Sequence, residues 1–292
     1  MYMTESDTEL RPLLFSIAYR MTGSVSESED LVQETFLRLH QAAQRGSEIE
    51  SRRAYACAVV TRLSIDHLRL ARVQREEYVG DWLPEPIVTD RSADPEEQAE
   101  LSDSLSMAFL VLLERLSPPE RAVFLLREVF GFGFDEIAEL IDKSEANCRQ
   151  LAVRARRHVH ESQPRFESSI ENQWALTERF FAAIRDGDTD GLARLLARDV
   201  VLYADGGGKA PAISQPIYGA SEAARFLAEL GGRMSVQHIS LILADVNGQP
   251  GAITTDRSGR VVSAIALDMS EGRVHAMRAV TNPDKLGHIS MS

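Results

Sequence analysis

Basic side chains are concentrated in two short segments of this 292-residue chain, and their spacing suits the binding of a polyanion. Residues 52–75 hold six arginines and one acid, and residues 143–165 hold six basic residues and two acids. The basic residues are Arg52, Arg53, Arg62, Arg69, Arg72 and Arg75, then Lys143, Arg149, Arg154, Arg156, Arg157 and Arg165. Clustered cations bind duplex DNA because they release its condensed counterions. On charge alone, two solvated helix faces explain the pattern equally well.

The chain as a whole is acidic, so DNA contact is expected only at these two segments. Its 32 Lys and Arg residues against 44 Asp and Glu residues give a net charge of −12, which would repel DNA elsewhere. The two cysteines, Cys57 and Cys148, are too few for a disulfide framework or a zinc site. Residues 1–20 lack a signal-peptide pattern, and no apolar run approaches the roughly 18 residues of a membrane span. We therefore expect a cytoplasmic protein without cofactor, metal site or membrane association.

Hydrophobic periodicity predicts two helical segments, at residues 8–75 and 101–162, with a loop at 44–51 in the first. The acidic stretch 76–100 between them contains three prolines and is interpreted as a linker. In the second segment, Asp142-Lys143 joins two short helices and Ser144 is a good N-cap for the second of them. Two short helices in this order, the second basic, form a helix-turn-helix pattern.

Residues 170–292 differ from the helical segments before them, because they combine helical and strand patterns. Their first part predicts helices, the third of which covers residues 221–230, around a weak strand at 200–204. Further strands are predicted at 234–243, 251–255, 260–269 and 273–280, and the dipeptides between the last four strands are hairpin signals: Asn247-Gly248, Ser258-Gly259 and Glu271-Gly272. Helices followed by an antiparallel meander predict an α+β domain.

Three motifs are unusual for their positions: Trp82-Leu83-Pro84-Glu85-Pro86, Asp205-Gly206-Gly207-Gly208-Lys209 and Asn282-Pro283-Asp284-Lys285-Leu286. Linkers rarely contain a tryptophan, so we expect Trp82 and Leu83 to dock on a neighbouring domain. The glycine run does not have the spacing of a phosphate-binding loop and is interpreted as a flexible loop able to meet another domain.

Residues 30–39, Asp-Leu-Val-Gln-Glu-Thr-Phe-Leu-Arg-Leu, closely resemble the core-polymerase-binding helix of bacterial sigma factors of the extracytoplasmic-function (ECF) class. Residues 127–138 and 144–157 resemble the helix-turn-helix with which that family reads the −35 element. The three motifs fit the subgroup that carries a SnoaL-like C-terminal extension. Five matches in order, over nearly the whole chain, are far more specific than one.

The resemblance implies a multidomain protein with two all-α sigma domains and an α+β SnoaL/NTF2-like, cone-shaped domain. Its expected parts are region 2 at 1–75, the linker at 76–100, region 4 at 101–163 and the regulatory domain at 170–292. It implies a sigma factor that binds core RNA polymerase and promoter DNA, with no enzymatic activity. A separate anti-sigma protein is possible but not required, and so is a small-molecule ligand of the last domain.

The resemblance also assigns site residues. Core polymerase is expected to contact Asp30, Leu31, Gln33, Glu34, Phe36 and Arg38. The −10 element is expected to contact Arg52, Arg53, Arg62, Asp66, Arg69 and Arg72, where Asp66 is as good a partner for an arginine as for a base. The −35 element is expected to contact Ser144, Asn147, Arg149, Gln150, Arg154 and Arg157. A regulatory contact is expected among Trp82, Leu83, Pro84, Asp205, Gly207, Lys209, Asn282, Pro283 and Asp284.

Two other functions are alternatives to a sigma factor. A stand-alone helix-turn-helix regulator with a ligand-sensing domain would need only the 134–158 pattern and would bind promoters without polymerase. An enzyme fused to a DNA-binding region would need a closed polar pocket with a buried acid or base. The polar residues available for that role are Asp205, His238, Asp245, Asp256, Asp268 and His275, and their spacing shows no such pocket.

Overall fold

The computed structural model describes residues 5–45, 49–76, 78–89, 104–160 and 169–289 of the chain. It divides the chain into two compact units, of which the first combines residues 1–77 with residues 110–163. The second unit combines residues 78–109 with residues 164–292. The linker therefore belongs to the C-terminal unit, although in sequence it lies between the two halves of the first. The part of the predicted linker at 90–100 lies outside the described residues.

The first unit is all helical. Its helices are α1 (Glu5–Thr22), α2 (Val25–Gln44), α3 (Arg52–Glu76), α4 (Met107–Leu113), α5 (Pro118–Phe124), α6 (Phe134–Ile141) and α7 (Glu145–His160). The helix α4 begins in the second unit and ends in the first. A π-helical turn at Leu125–Val129 continues α5. Apolar side chains of α1, α2 and α3, such as Ile17, Val32 and Val60, are fully buried and form the core of the N-terminal half.

Backbone geometry defines the predicted helix-turn-helix. Gly131, at φ +72°, ends the segment before it. The N–H of Gly133 then donates to the Glu136 carboxylate at 2.6 Å, which satisfies an orphan donor at the start of α6. Asp142 closes α6 in the left-handed conformation, at φ +53°. The side chain of Ser144 accepts the N–H of Asn147 at 3.3 Å, as predicted for the N-cap of α7.

A buried arginine joins the two halves of the helical unit. Arg121 of α5 is 2% exposed, and its Nε donates to the carbonyl oxygen of Arg20 in α1 at 3.0 Å. The same guanidinium pairs with Glu114. Burial lowers the pKa of Arg121 to about 9, which still leaves it charged at neutral pH. Because α1 ends at Thr22, Arg121 supplies a donor to a carbonyl that the helix leaves without a partner.

The second unit contains a seven-stranded sheet with the order β1-β4-β5-β6-β7-β2-β3. The strands are β1 (Val88–Thr89), β2 (Leu196–Asp205), β3 (Ile217–Tyr218), β4 (Ser240–Val246), β5 (Gln249–Thr255), β6 (Val261–Ser270) and β7 (Arg273–Val280). Only the β2–β7 pair is parallel among the pairs of described strands. The edge strand β1 comes from the linker, with Val88 opposite Val246.

Helices α8 (Ile170–Asp186), α9 (Thr189–Leu195) and α10 (Ala220–Gln237) cover one face of this sheet. The apolar core between the helices and the sheet includes Phe180, Leu192, Leu227 and Leu267, all fully buried. The α+β class of the C-terminal part is therefore confirmed. Within the described residues, no helix combines the length and apolarity that crossing a bilayer requires.

The helix α10 is longer than predicted, and the strand predicted from residue 234 begins only at Ser240. The sequence prediction ended this helix at residue 230. In the structure the helix continues through Gly231, where only glycine fits because a Cβ would lie 1.8 Å from the carbonyl oxygen of Ile184. Glycine here allows α8 and α10 to approach closely, and His238 ends the helix at φ +55°.

The pH dependence of the C-terminal unit should depend on Asp245, which is 3% exposed. Burial raises its pKa to about 6, against hydrogen bonds from Gly248 and Thr89 that lower it. As pH rises, the Asp245 carboxyl therefore loses its proton in the unfolded chain before it does so in the folded one. The free energy of unfolding consequently falls between about pH 4 and 6. Between pH 5 and 7.5, the free energy of unfolding of the wild type should fall by about 1 kcal/mol more than that of Asp245→Asn. Urea unfolding followed by tryptophan fluorescence measures this, since Trp82 and Trp174 both lie in this unit. A difference between the two proteins that stays constant with pH would contradict the assignment.

Candidate nucleic-acid and protein interfaces

The exposed face of α2 carries the side chains expected to bind polymerase. Asp30, Gln33 and Arg38 are exposed. Glu34 is half-buried and accepts from Nε of Arg38 at 2.7 Å, one turn away. The apolar member of this face is Leu37, whose side chain is 41% exposed. An apolar residue ringed by polar ones is the composition of a protein-binding patch.

Two residues assigned to this face lie elsewhere. Leu31 and Phe36 are 9% and 3% exposed, because they are on the side of α2 that packs into the helical core. They shape the helix and its packing, and their expected contact with polymerase stays a prediction. Leu37 lies within the quoted motif but was not among the expected contacts, although helical spacing places it beside Gln33 and Glu34.

Two of the arginines expected at the −10 element are engaged within the helical unit. Arg52 pairs with Asp7, a fully buried carboxylate that also lies 3.1 Å from Nε2 of His40. Arg62 donates from Nε to the carbonyl oxygen of Leu140 at 2.8 Å and from Nη2 to that of Glu139 at 2.7 Å. Those carbonyls lie at the C-terminus of α6, where the helix dipole favours a cation.

The rest of the basic helix is more open to solvent. Arg53 is exposed, and Arg69 and Asp66 form an exposed ion pair at 2.9 Å. Asp66 therefore orients an arginine, which is one of the two roles predicted for it. The side chain of Arg72 lies outside the described part of the chain. Arg52 and Arg62 thus have partners within the helical unit, whereas Arg53 and Arg69 lie on its exposed surface.

The helix α7 presents the six residues expected at the −35 element on its solvent side. Ser144, Asn147, Arg149, Gln150, Arg154 and Arg157 are all exposed. The opposite side is apolar and buried, and it consists of Cys148, Leu151, Ala155 and Val159. Arg149 pairs with Glu145, and Arg154 lies 3.3 Å from Glu120 of α5. This division of faces is what a recognition helix needs, with basic side chains available to DNA.

An aromatic ring at the start of α6 holds two arginines. The guanidinium carbons of Arg127 and Arg149 lie 5.1 and 4.9 Å from the ring centroid of Phe134. Cations over an aromatic face are attracted by its quadrupole, so the ring restricts both side chains. Neither Phe134 nor Arg127 was assigned a role from the sequence. The available signal was an aromatic residue next to a helix start in a basic helix-turn-helix.

The linker motif meets the other two motifs at Asp205, which is fully buried. Its carboxylate accepts from the N–H of Leu83 at 2.8 Å, from Nζ of Lys285 at 2.7 Å and from the hydroxyl of Tyr78. Its carbonyl oxygen accepts the N–H groups of Thr281 and Asn282. The structure thus brings together the three segments that the sequence paired, around a buried ion pair.

Lys285 and Tyr78 are central to this cluster, although neither was among the residues assigned. Lys285 is 7% exposed, donates also to the carbonyl of Leu83, and lies 4.4 Å from the ring centroid of Trp82. Burial and the hydrogen bond to Asp205 raise the pKa of Tyr78, so its hydroxyl stays a donor at physiological pH. Asn282 in turn donates to that hydroxyl at 2.9 Å.

The glycine-rich loop that follows Asp205 packs closely against this cluster. A Cβ at Gly207 would lie 2.3 Å from Nδ2 of Asn282, and the residue has φ +56°. Lys209 pairs with Asp284 on the surface, where both side chains are more than half exposed. Pro283 starts a short 3₁₀ helix, Pro283–Lys285, that turns Lys285 inward. Lys209 and Asp284 are therefore peripheral, whereas Leu83 and Pro84 are buried.

A second anchor holds the linker, at Asn247 in the hairpin between β4 and β5. Its backbone N–H donates to the carbonyl of Ile87 at 2.8 Å, and its Oδ1 accepts from the N–H of Ile87 at 3.1 Å. Its Nδ2 donates to the carbonyl of Leu105 at 3.0 Å. The sequence identified Asn247 only as a turn residue. The linker at Ile87 and the chain just after it at Leu105 are therefore both hydrogen-bonded to the C-terminal domain.

The residues considered for catalysis lie away from the largest groove described in the C-terminal unit. The groove between α8, α10 and β4 has a volume of about 630 Å³ and is lined mainly by apolar side chains, among them Phe181, Ile184, Met234 and Leu241. None of the candidate acids and histidines lines it. Asp268 is paired with Arg278, and His238 and Asp256 lie on the surface of the sheet domain.

Comparisons with known proteins agree with this geometry. Residues 8–73 match the family model "Sigma-70 region 2", and residues 106–159 match "Sigma-70, region 4". The ECF RNA polymerase sigma factor SigJ of Mycobacterium tuberculosis is 38% identical over 288 residues, which cover 94% of this chain and 90% of SigJ. The probable ECF sigma factor SigI of the same organism is 31% identical, covering 94% of this chain and 92% of SigI.

The crystal structure of M. tuberculosis SigJ superposes with a TM-score of 0.75 at 35% identity and covers 96% of both chains. That similarity includes the C-terminal domain as well as both helical regions. A stand-alone helix-turn-helix regulator would not require region 2, so the comparisons do not favour that alternative. On its two sigma-70 regions and its full-length relatives, this chain belongs to the ECF sigma factors of RNA polymerase, which direct promoter-specific transcription initiation.

Proposed function

We propose that this sigma factor meets polymerase and promoter through three surfaces and that its C-terminal domain limits how far the two promoter-reading regions can separate. Core polymerase would bind the exposed face of α2 around Leu37. The −10 element would meet the exposed basic side of α3, including Arg53 and Arg69. The −35 element would meet the exposed side of α7, from Ser144 to Arg157.

The observation that carries the regulatory part is the attachment of the chain between α3 and α4 to the C-terminal domain at separate points. Tyr78 and Leu83 bind Asp205 near the start, and Leu105 binds Asn247 near the end. Between them, β1 is a strand of the C-terminal sheet. The chain that joins α3 of region 2 to α4 of region 4 is thus held by a folded domain along the parts described.

Such a tether would restrict promoter choice through geometry. Each added base pair moves the −35 element by about 3.4 Å along the duplex and turns it by about 34° relative to the −10 element. A freely extended linker of this length would follow both changes, since flexible chains lose little free energy over a few ångströms. A linker fixed on a domain would not follow them. We therefore expect narrow selectivity for the spacer between the two elements.

Transcription from a set of promoters that differ only in spacer length tests the tether. Wild-type protein with purified core polymerase should show a sharp optimum, and Asp205→Ala should show a lower and broader profile. The matched control is Asp284→Ala, which removes only the exposed pair with Lys209 and should keep the sharp profile. Identical profiles for Asp205→Ala and wild type, with the linker shown to be released, would contradict the proposal.

A ligand would give a further point of regulation. A small molecule in the groove between α8, α10 and β4 would change activity if it bound the attached and released states of the linker with different affinity. A separate anti-sigma protein is not required by this scheme, because the fused domain itself supplies control. The sigma role is a binding and positioning role, and we assign no catalytic residue to the chain.

A further inference from the structure

A valine on α7 is exposed among the side chains expected to meet the −35 element. Val153 of α7 is 64% exposed, whereas Cys148, Leu151 and Ala155 of the same helix are buried. Valine is also a weaker helix former than alanine because its branched side chain loses rotamer freedom. An exposed valine therefore contributes nothing to the packing of the unit and slightly disfavours the helix.

The surroundings of Val153 are those of a base-reading surface. Val153 lines a shallow depression on α7 together with Arg149, Gln150 and Arg154. Helical periodicity places these four side chains on one face. Arg149 is held by the ring of Phe134 and by Glu145, and Arg154 by Glu120. Val153 is the apolar member of a group whose other members are long hydrogen-bond donors.

Each of these side-chain types matches a different feature of the major groove. Arginine and glutamine bind the polar edges of guanine and adenine, whereas the thymine methyl group is recognised by apolar contact. We propose that Val153 is a specificity-determining residue that contacts the 5-methyl group of a thymine in the −35 element. This inference rests on the proposed −35 role of α7 and adds to it a base preference that charge and hydrogen bonding do not provide.

The test uses the full chain bound to purified core polymerase. A promoter library with a randomised −35 hexamer is selected for binding, and the enriched hexamer is then synthesised with each thymine replaced singly by uracil. Uracil keeps every hydrogen-bonding group and removes only the methyl group. Wild-type holoenzyme should lose about fourfold in affinity at one thymine, the factor expected for one methyl group withdrawn from apolar contact.

Variants at Val153 separate methyl recognition from general binding. Val153→Ala should bind thymine and uracil at that position within about 1.5-fold of each other, and its selected hexamers should lose the thymine preference there. Val153→Thr, which retains a methyl group at the branch, should keep part of the discrimination. The control Val236→Ala, at a 79% exposed valine of α10, should discriminate like wild type.

Each outcome has a distinct meaning. If wild type tolerates every uracil, or if Val153→Ala remains as sensitive as wild type, the methyl contact is refuted. If Val153→Ala weakens binding equally to all hexamers, Val153 contributes general contact area and not specificity, which also refutes it. If selection with holoenzyme enriches no −35 sequence at all, the proposed role of α7 fails instead.

Discussion

Asp205→Ala should destabilise the C-terminal unit by about 3–5 kcal/mol, because it leaves a buried cation without its counter-charge. Lys285 is 7% exposed and would lose the carboxylate 2.7 Å away. The Tyr78 hydroxyl and the Leu83 N–H would lose their acceptor in the same step. Backbone amide exchange at Leu83 should rise sharply, which reports release of the linker from the domain.

The stability change is measured by urea unfolding followed by tryptophan fluorescence, with Asp284→Ala as control. That variant removes an exposed pair and should cost at most about 1 kcal/mol. The double variant Asp205→Ala/Lys285→Met removes both charges and should recover part of the loss, since the two positions are coupled. If the losses of stability from the substitutions at Asp205 and Lys285 simply add in the double variant, the ion pair does not hold the linker.

Leu37→Asp should weaken binding of core polymerase by at least about 30-fold, corresponding to about 2 kcal/mol for burying an unpaired polar group in a protein contact. Leu37 is 41% exposed, so a carboxylate there remains solvated in the free protein and the fold should tolerate it. Binding is measured with labelled sigma factor and purified core polymerase, and transcription should fall in parallel.

The control for this variant is Val236→Asp, which places the same charge on a 79% exposed apolar position of α10. It should bind polymerase like wild type. Circular dichroism of both variants excludes unfolding as the cause. Normal polymerase affinity of a folded Leu37→Asp protein would show that the partner does not contact the exposed face of α2.

Local signals in the sequence predicted most of the architecture. The dipeptides Asn247-Gly248 and Glu271-Gly272 adopt positive φ at both residues, as their hairpin turns require. The helix-turn-helix has the predicted N-cap at Ser144 and the predicted inward face. Such features depend on neighbours a few residues apart. The position where α10 ends does not depend on such local features, because Gly231 packs against the backbone of Ile184 on another helix.

Pairings between distant residues account for what the sequence could not predict. Arg52 and Arg62 had the charge and position of DNA contacts, but their partners lie 45 and 78 residues away along the chain. Asn247 binds Leu105 across 142 residues. No local pattern indicates whether an arginine meets solvent, a buried carboxylate or the end of a helix. The three motifs that were expected to meet do contact one another at Asp205, and only the structure places Lys285 and Tyr78 at that contact.

Transcription in vitro with purified bacterial core RNA polymerase, with and without this protein, tests the central claim most directly. We expect a new start site on a promoter library only when the protein is present, and its loss with Leu37→Asp. The contradicting result is the absence of any protein-dependent transcript, together with binding of promoter duplex by the protein alone. That outcome would identify a stand-alone helix-turn-helix regulator that does not act through polymerase.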